Sequence, residues 1–381
     1  MRDTDDEGEV GTASGGVWSA VSTTLDGPPP PPPTDPFSIR VDEVGSGPVV
    51  DFDHSAWVEA RNPAPVRGWR RWLWRVTGGR FRPNPTAEER RSRQLLAAAR
   101  RPFTGARTIA VISTKGGVGK TTTALNLGHT LAMTRGDRVV ALDANPDAGS
   151  LGYRVARETD ATALDLLAYP EEITGYAQIR GFTSQAPSRL EVIASPDDPR
   201  LTRRLGRDEY ERLLGILRLQ YNLVVADCGT GILDSATRGV VQAADQLVVV
   251  TGPSVDAARA VTYLLAWLRE HGMADMVADA VVVINGVRDG RRPVDVTKVV
   301  DHFRALVRDV VVVPFDVELA NGAAVELEWL DVTTRQAYLE LAGVLVDAFV
   351  ADDAAPPAHH PDPTSAATGR ITVPGTTGGT D

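Results

Sequence analysis

From Thr108 onward the chain alternates short apolar runs with longer segments whose apolar residues recur every three or four positions. The runs at 108–113, 139–143, 189–194, 222–227, 246–251, 280–285 and 310–314 have the length of strands. Several are almost unbroken Val, Ile, Ala and Leu, such as Leu247-Val248-Val249-Val250 and Val281-Val282-Val283-Ile284. A strand that is apolar at consecutive positions hides both faces, which points to a parallel sheet covered on each side by helices. The intervening segments supply those helices. Over 255–271, Val261, Leu264, Leu265 and Leu268 form one stripe; over 333–349, Ala337, Leu341, Val344 and Leu345 form another. The pattern predicts an α/β fold, doubly wound around a mostly parallel sheet of about seven strands, over residues 107–350.

The flanking regions read differently. Residues 1–60 are acidic and rich in Gly, Pro, Ser and Thr, with six prolines at Pro28–Pro33. Such a stretch holds too little apolar surface to offset chain entropy, so disorder is expected, with a stiff polyproline II run serving as a spacer or as a ligand for an aromatic groove. Residues 351–381 carry the same kind of composition and the same expectation. Between residues 61 and 106 lies an Arg/Trp-rich band with short helices. There Trp69, Trp72, Leu73 and Val76 fall on one helical face, with Arg70, Arg71 and Arg75 mainly off it. A second helix is expected over 86–101, started by Thr86 with Glu88 and Glu89 in its first turn.

Charge sharpens that division. Residues 1–60 carry 12 acidic residues against 2 arginines, whereas residues 61–107 carry 13 arginines against 2 glutamates, within a chain of net charge -10. A basic band of this kind suits an anionic membrane surface, a nucleic-acid backbone or a partner groove, and the tryptophans could equally pack on the neighbouring domain. The single cysteine, Cys228, excludes a disulfide framework or a multi-cysteine metal site within one chain. The acidic N-terminus has no secretory pattern, and no apolar run approaches the ~18 residues that span a bilayer. A cytoplasmic protein is expected, with peripheral contact at the inner face of the plasma membrane as an option.

Only Lys115, Lys120 and Lys298 interrupt a set of cations otherwise written as arginine, and two of them sit five residues apart in one glycine-rich loop. That loop, Thr114-Lys115-Gly116-Gly117-Val118-Gly119-Lys120-Thr121-Thr122, falls where a strand ends and a helix begins. Its glycines let successive N–H groups converge on one point, where the helix N-terminus adds partial positive charge. Phosphate is the ligand this arrangement suits. Lys120 is then placed to bridge the β- and γ-phosphates, and the Thr121 hydroxyl to ligate Mg²⁺.

Lys115-Gly116-Gly117-Val118-Gly119-Lys120-Thr121-Thr122 resembles the deviant Walker A motif of the ParA/MinD family of ATPases, with Thr114 where the standard phosphate loop has glycine. The resemblance spans roughly residues 107–350. It implies ATP and Mg²⁺ as cofactors and a homodimer in the ATP-bound state, in which Lys115 reaches the partner's nucleotide. It also gives roles to later segments. In Leu142-Asp143-Ala144-Asn145-Pro146-Asp147, family members usually read Asp-x-Asp, with the first acid, here Asp143, near the Mg²⁺ shell and the second positioning the attacking water. Here Asn145 holds that second place; an amide orients water but takes no proton, so slow hydrolysis is expected, with Asp147 as a substitute. Ala226-Asp227-Cys228-Gly229-Thr230-Gly231 resembles the Walker B and switch II segment, which makes Asp227 a Mg²⁺ holder through water. Asn285 and the segment at Pro314 are similar to those lining the adenine pocket. Gly116, Gly117, Val118, Gly119 and Thr122 complete the phosphate contacts. The proline-rich start and the Arg/Trp band look most like the actinobacterial EspI-type proteins linked to type VII secretion. The resemblance thus implies a switch acting on a secretion or division component. A DNA-binding partition ATPase and a non-hydrolysing scaffold are the other readings.

Overall fold

The computed structural model describes residues 75–77, 86–145, 149–196, 205–230, 234–288, 294–322 and 327–354. The proline run, Asp147 and Gly231 lie outside them, as does all of 66–82 except Arg75–Thr77.

Eight strands form one sheet: β1 (Arg107–Ser113), β2 (Val139–Ala144), β3 (Ser184–Gln185), β4 (Glu191–Ile193), β5 (Leu223–Thr230), β6 (Gln246–Thr251), β7 (Val281–Val287) and β8 (Asp309–Pro314), in the order β3-β4-β2-β5-β1-β6-β7-β8. Every pairing is parallel except β3 with β4. The eighth strand, beyond the seven expected, is that two-residue edge, polar and too short to leave an apolar run. Its partner β4 occupies only the middle of the run expected over 189–194.

Because side chains alternate across a strand, the unbroken apolar runs feed two cores. Ala110, Ile112, Val140, Leu142, Val224 and Ala226 face one layer, containing α3 (Arg207–Gln220), α4 (Ser235–Ala243), α5 (Val255–Glu270) and α6 (Val296–Arg304). Ile109, Val111, Val139, Ala141, Leu223 and Val225 face the other, containing α2 (Lys120–Thr134) and α7 (Val332–Ala354). The expected stripe of α5 is fully inward: Val261, Leu264, Leu265 and Leu268 are all buried.

In α7 the expected stripe holds at Ala337, Leu341 and Leu345, while Val344 is only partly buried. The helix also buries Tyr338, Ala342, Val346 and Phe349, a wider face than one stripe. The cause is α1 (Ala87–Ala99), which lies along its outer side. At Gly343 an added Cβ would sit 3.2 Å from the Ala98 Cβ, so the absence of a side chain permits this close packing. The start of α1 is fixed by a capping box, with the Thr86 side chain accepting from the Glu89 N–H and Glu89 accepting from the Thr86 N–H. Thus the second half of the basic band packs on the α/β layer. Arg91 pairs with Glu340 and Arg101 with Asp347, while Arg107 meets Asp353. The acids of α7 absorb part of the positive charge seen in the sequence.

Candidate functional site

Strand β1 runs between β5 and β6, and its successors leave it in opposite directions across the sheet. At such a reversal the carboxyl ends of neighbouring strands diverge and leave a crevice. The glycine-rich loop fills the start of it. Ser113 Oγ donates to the Lys115 carbonyl at 3.1 Å, closing the first turn. Gly117 and Gly119 adopt φ of +76° and +91°, a left-handed conformation that L side chains rarely tolerate. At Gly119 a Cβ would also lie 1.9 Å from Asn285 Nδ2, so β7 crowds the loop from the side. Asn285 uses that proximity: its amide donates to the Val118 carbonyl at 3.0 Å.

The loop opens onto a cavity of about 630 Å³. Residues 115–122 line its phosphate end, and Asn285, Pro314, Phe315 and Asp316 line the far wall. The Arg288 guanidinium lies 3.9 Å from the centre of the Phe315 ring, which stiffens that wall by a cation–π contact. Asn145, Ser150 and Arg154 line a further side. Every residue from Lys115 to Thr122 therefore reaches one cavity, together with Asn145, Asn285 and Pro314.

The charges divide into three settings. Lys120 is buried, and its ammonium sits 2.6 Å from Asp227 Oδ1, itself nearly inaccessible. Lys115 is exposed, with no carboxylate partner among the described residues. Asp143 is fully buried opposite Asp227 in the β2–β5 register. Burial and the nearby Asp227 carboxylate push its pKa up to about 7, against the pull of N–H groups from Leu151 (3.0 Å) and Asn145 (3.2 Å). The backbone at Gly149 lies directly over this carboxylate, for a Cβ there would meet Asp143 Oδ2 at 2.4 Å.

Thr121, Asp143 and Asp227 together offer hard oxygen donors of the sort Mg²⁺ takes when it shares its shell with phosphates and water. Two buried carboxylates answered by one lysine are a setting that a divalent cation relieves. Those residues fit the metal. Cys228 is buried with its thiol pushed up to about 12 by burial, an inert group beside the site.

Arg154 escaped the sequence reading. It ends a 3-10 turn, Leu151–Arg154, inside an irregular stretch that carries no periodicity, and no motif marks it. Its Nη1 donates to Thr122 Oγ1 at 3.0 Å.

Residues 106–273 match a family model described as an AAA domain. The ESX-1 secretion-associated protein EspI of Mycobacterium tuberculosis is 40% identical over 285 residues, which is 74% of this chain. The match covers 42% of that relative, so this chain spans less than half of its length. The ParA family ATPase of Chlorobium tepidum TLS superposes with a TM-score of 0.51 at 18% identity, over 65% of this chain and 98% of that one. The septum site-determining protein MinD of Pyrococcus horikoshii OT3, complexed with Mg-ADP, gives 0.50 at 21%, over 62% and 94%. This is a ParA/MinD-like P-loop ATPase fold. Within the ParA/MinD-like domain the strand order places the glycine-rich loop, Asp143 and Asp227 at the same end of the sheet, and the EspI resemblance extends beyond the loop to most of the chain.

Proposed function

We propose that this chain is an ATP-dependent dimerising switch that binds Mg-ATP, hydrolyses it slowly and regulates a membrane-associated secretion or division machine. The observation that carries the reading is the pair of lysines in one loop. Lys120 is buried on Asp227, ready to exchange that carboxylate for phosphate, while Lys115 points its charge outward at the rim of the same cavity. Among the described residues no carboxylate pairs with this rim cation. A second subunit's triphosphate is a partner of matching charge, and sharing it links nucleotide state to assembly.

In this reading Lys120, the backbone of Gly116–Gly119, Thr121 and Thr122 hold the phosphates. Thr121, Asp143 and Asp227 hold Mg²⁺, which neutralises charge that develops on the phosphates. Asn285 and Pro314 border the base. Asn145 lies on the cavity wall, where its amide orients water without accepting a proton, so turnover rests on positioning and charge stabilisation. The relative EspI is a secretion-associated protein, which supports a secretion component as the machine addressed. The cytoplasm, including the inner face of the plasma membrane, is the proposed location. Arginines upstream of α1 would meet an anionic surface there, because Arg91 and Arg101 are already paired within the fold.

Light scattering of the full chain with a non-hydrolysable ATP analogue and Mg²⁺ should show a dimer, and Lys115→Ala should bind the analogue as a monomer. Wild-type protein that takes up the analogue yet stays monomeric refutes the switch. Asn145→Asp should raise turnover several-fold; an unchanged rate removes Asn145 from the chemistry. Pelleting with anionic liposomes and with DNA, with and without ATP, separates a membrane-linked regulator from a DNA-bound one.

A further inference from the structure

We propose that Arg154 binds the α-phosphate of the nucleotide, an inference that rests on the nucleotide-binding reading above and adds a contact to that site.

The side chain starts from a fixed base. The Leu151 N–H donates to Asp143 Oδ2, Leu151 and Val155 are buried on either side, and Gly152 presses so closely on Ala194 that a Cβ there would stand 2.8 Å from the Ala194 Cβ. Arg154 therefore projects from an anchored turn, and its side chain forms part of the cavity wall.

Among the described residues its charge lacks a counterion. The half-buried guanidinium has no carboxylate within ion-pair distance among the described residues, and its hydrogen bond goes to the neutral Thr122 hydroxyl. Burial lowers its pKa, and the field of Asp227 only partly offsets this; that carboxylate is already held by Lys120. Partly dehydrating a guanidinium without an anion costs free energy, and a planar fork of N–H donors suits a phosphate. The missing anion is supplied by the ligand.

The position selects which phosphate. Lys120, at the helix start, serves the β- and γ-phosphates. Thr122 lies two residues further into α2, and Arg154 Nη1 is on its hydroxyl. On the opposite side Arg154 Nη2 faces Gly322, where a Cβ would lie 3.8 Å away, just past the Val317–Ala320 turn of the far wall. The guanidinium thus spans from the first turn of the loop helix toward the base end of the cavity. The group between the base and the β-phosphate is the α-phosphate. Such a contact is made equally by di- and triphosphate, so it adds affinity without reporting the γ-phosphate.

Calorimetric titration of the full chain with Mg-ATP and Mg-ADP tests this in wild type, Arg154→Gln and Arg154→Lys. Arg154→Gln should weaken both nucleotides by the same factor, about tenfold, the loss expected for one charge-assisted hydrogen bond. Arg154→Lys should fall between, because an ammonium keeps the charge but loses the fork. The unfolding temperature without nucleotide should not change. A loss confined to Mg-ATP places the guanidinium on the γ-phosphate and overturns the proposal, as do unchanged affinities or a lowered unfolding temperature. Failure of wild type to bind either nucleotide would instead remove the reading beneath it.

Discussion

Along the seam between α1 and α7, Arg91 pairs with Glu340 and Arg101 with Asp347 while the arginine side chains keep 64% and 54% of their surface in solvent; at the cavity, Lys120 meets Asp227 with 8% and 1%. Both are ion pairs between helix and neighbour, yet they obey different physics. Exposed pairs gain little because water screens them and ordering long side chains costs entropy. The seam is held by the apolar side chains of α7 and the close approach at Gly343, with the arginines as trim. At the cavity few charges are present and each is costly to leave alone. A region that must exchange partners uses sparse buried charge, and a region that must stay shut uses packing.

The contrast breaks first at Lys120. Lys120→Ala leaves Asp227 beside Asp143 without a cation, and should lower stability by about 3 kcal/mol in urea unfolding. Combining Lys120→Met with Asp227→Asn removes both charges and should recover most of it. A loss under about 1 kcal/mol for the single variant would place the cavity pair in the same class as the seam.

His129, on the same helix as Lys120, sharpens the comparison because it is buried with no charged partner among the described residues. Its Nδ1 lies 2.6 Å from Ser188 Oγ, and burial alone holds its pKa down at about 4, against 6.5 as the ordinary value. The folded chain keeps the ring neutral, whereas the unfolded chain protonates first as pH falls. The resulting stability is complete above pH 6.5 and drains away as pH drops toward 4, by about 3 kcal/mol at most. His129→Gln should flatten the stability profile in that window; an unchanged slope assigns the acid sensitivity to other groups.

The smallest effect belongs to the seam. Arg101→Gln should cost about 0.5 kcal/mol or less, shrinking further in high salt. A loss above about 1.5 kcal/mol would show that the seam is electrostatic after all.

What could be read from the sequence follows the range of the physics involved. The central strands were legible because a strand buried on both faces must be apolar at consecutive positions, as in Val281–Ile284. The phosphate loop was legible because backbone curvature and helix-end charge are local properties of a few residues. Ser184–Gln185 left no trace, since two polar residues at a sheet edge need no pattern. The wider buried face of α7 was hidden because its second covering comes from α1, some 245 positions earlier in the chain, as the 249-residue separation of Arg91 and Glu340 illustrates. Asp143 stood out as the first acid of the Asp-x-Asp pattern, yet the upward shift of its pKa comes from its burial and from Asp227 across the sheet. Arg154 depended on a fold-level encounter with Thr122.

Helix α1 runs in the same direction as α7: Gln336 reaches Glu88 and Ser92 near its start, and Asp347 reaches Arg101 just past its end. Helix α7 itself begins beside Asp316, at the mouth of the cavity, and finishes beside Arg107, where β1 enters the sheet. Thr86, at the start of α1, therefore lies at the pole that carries the cavity, and Ala354, at the end of α7, at the pole where β1 begins.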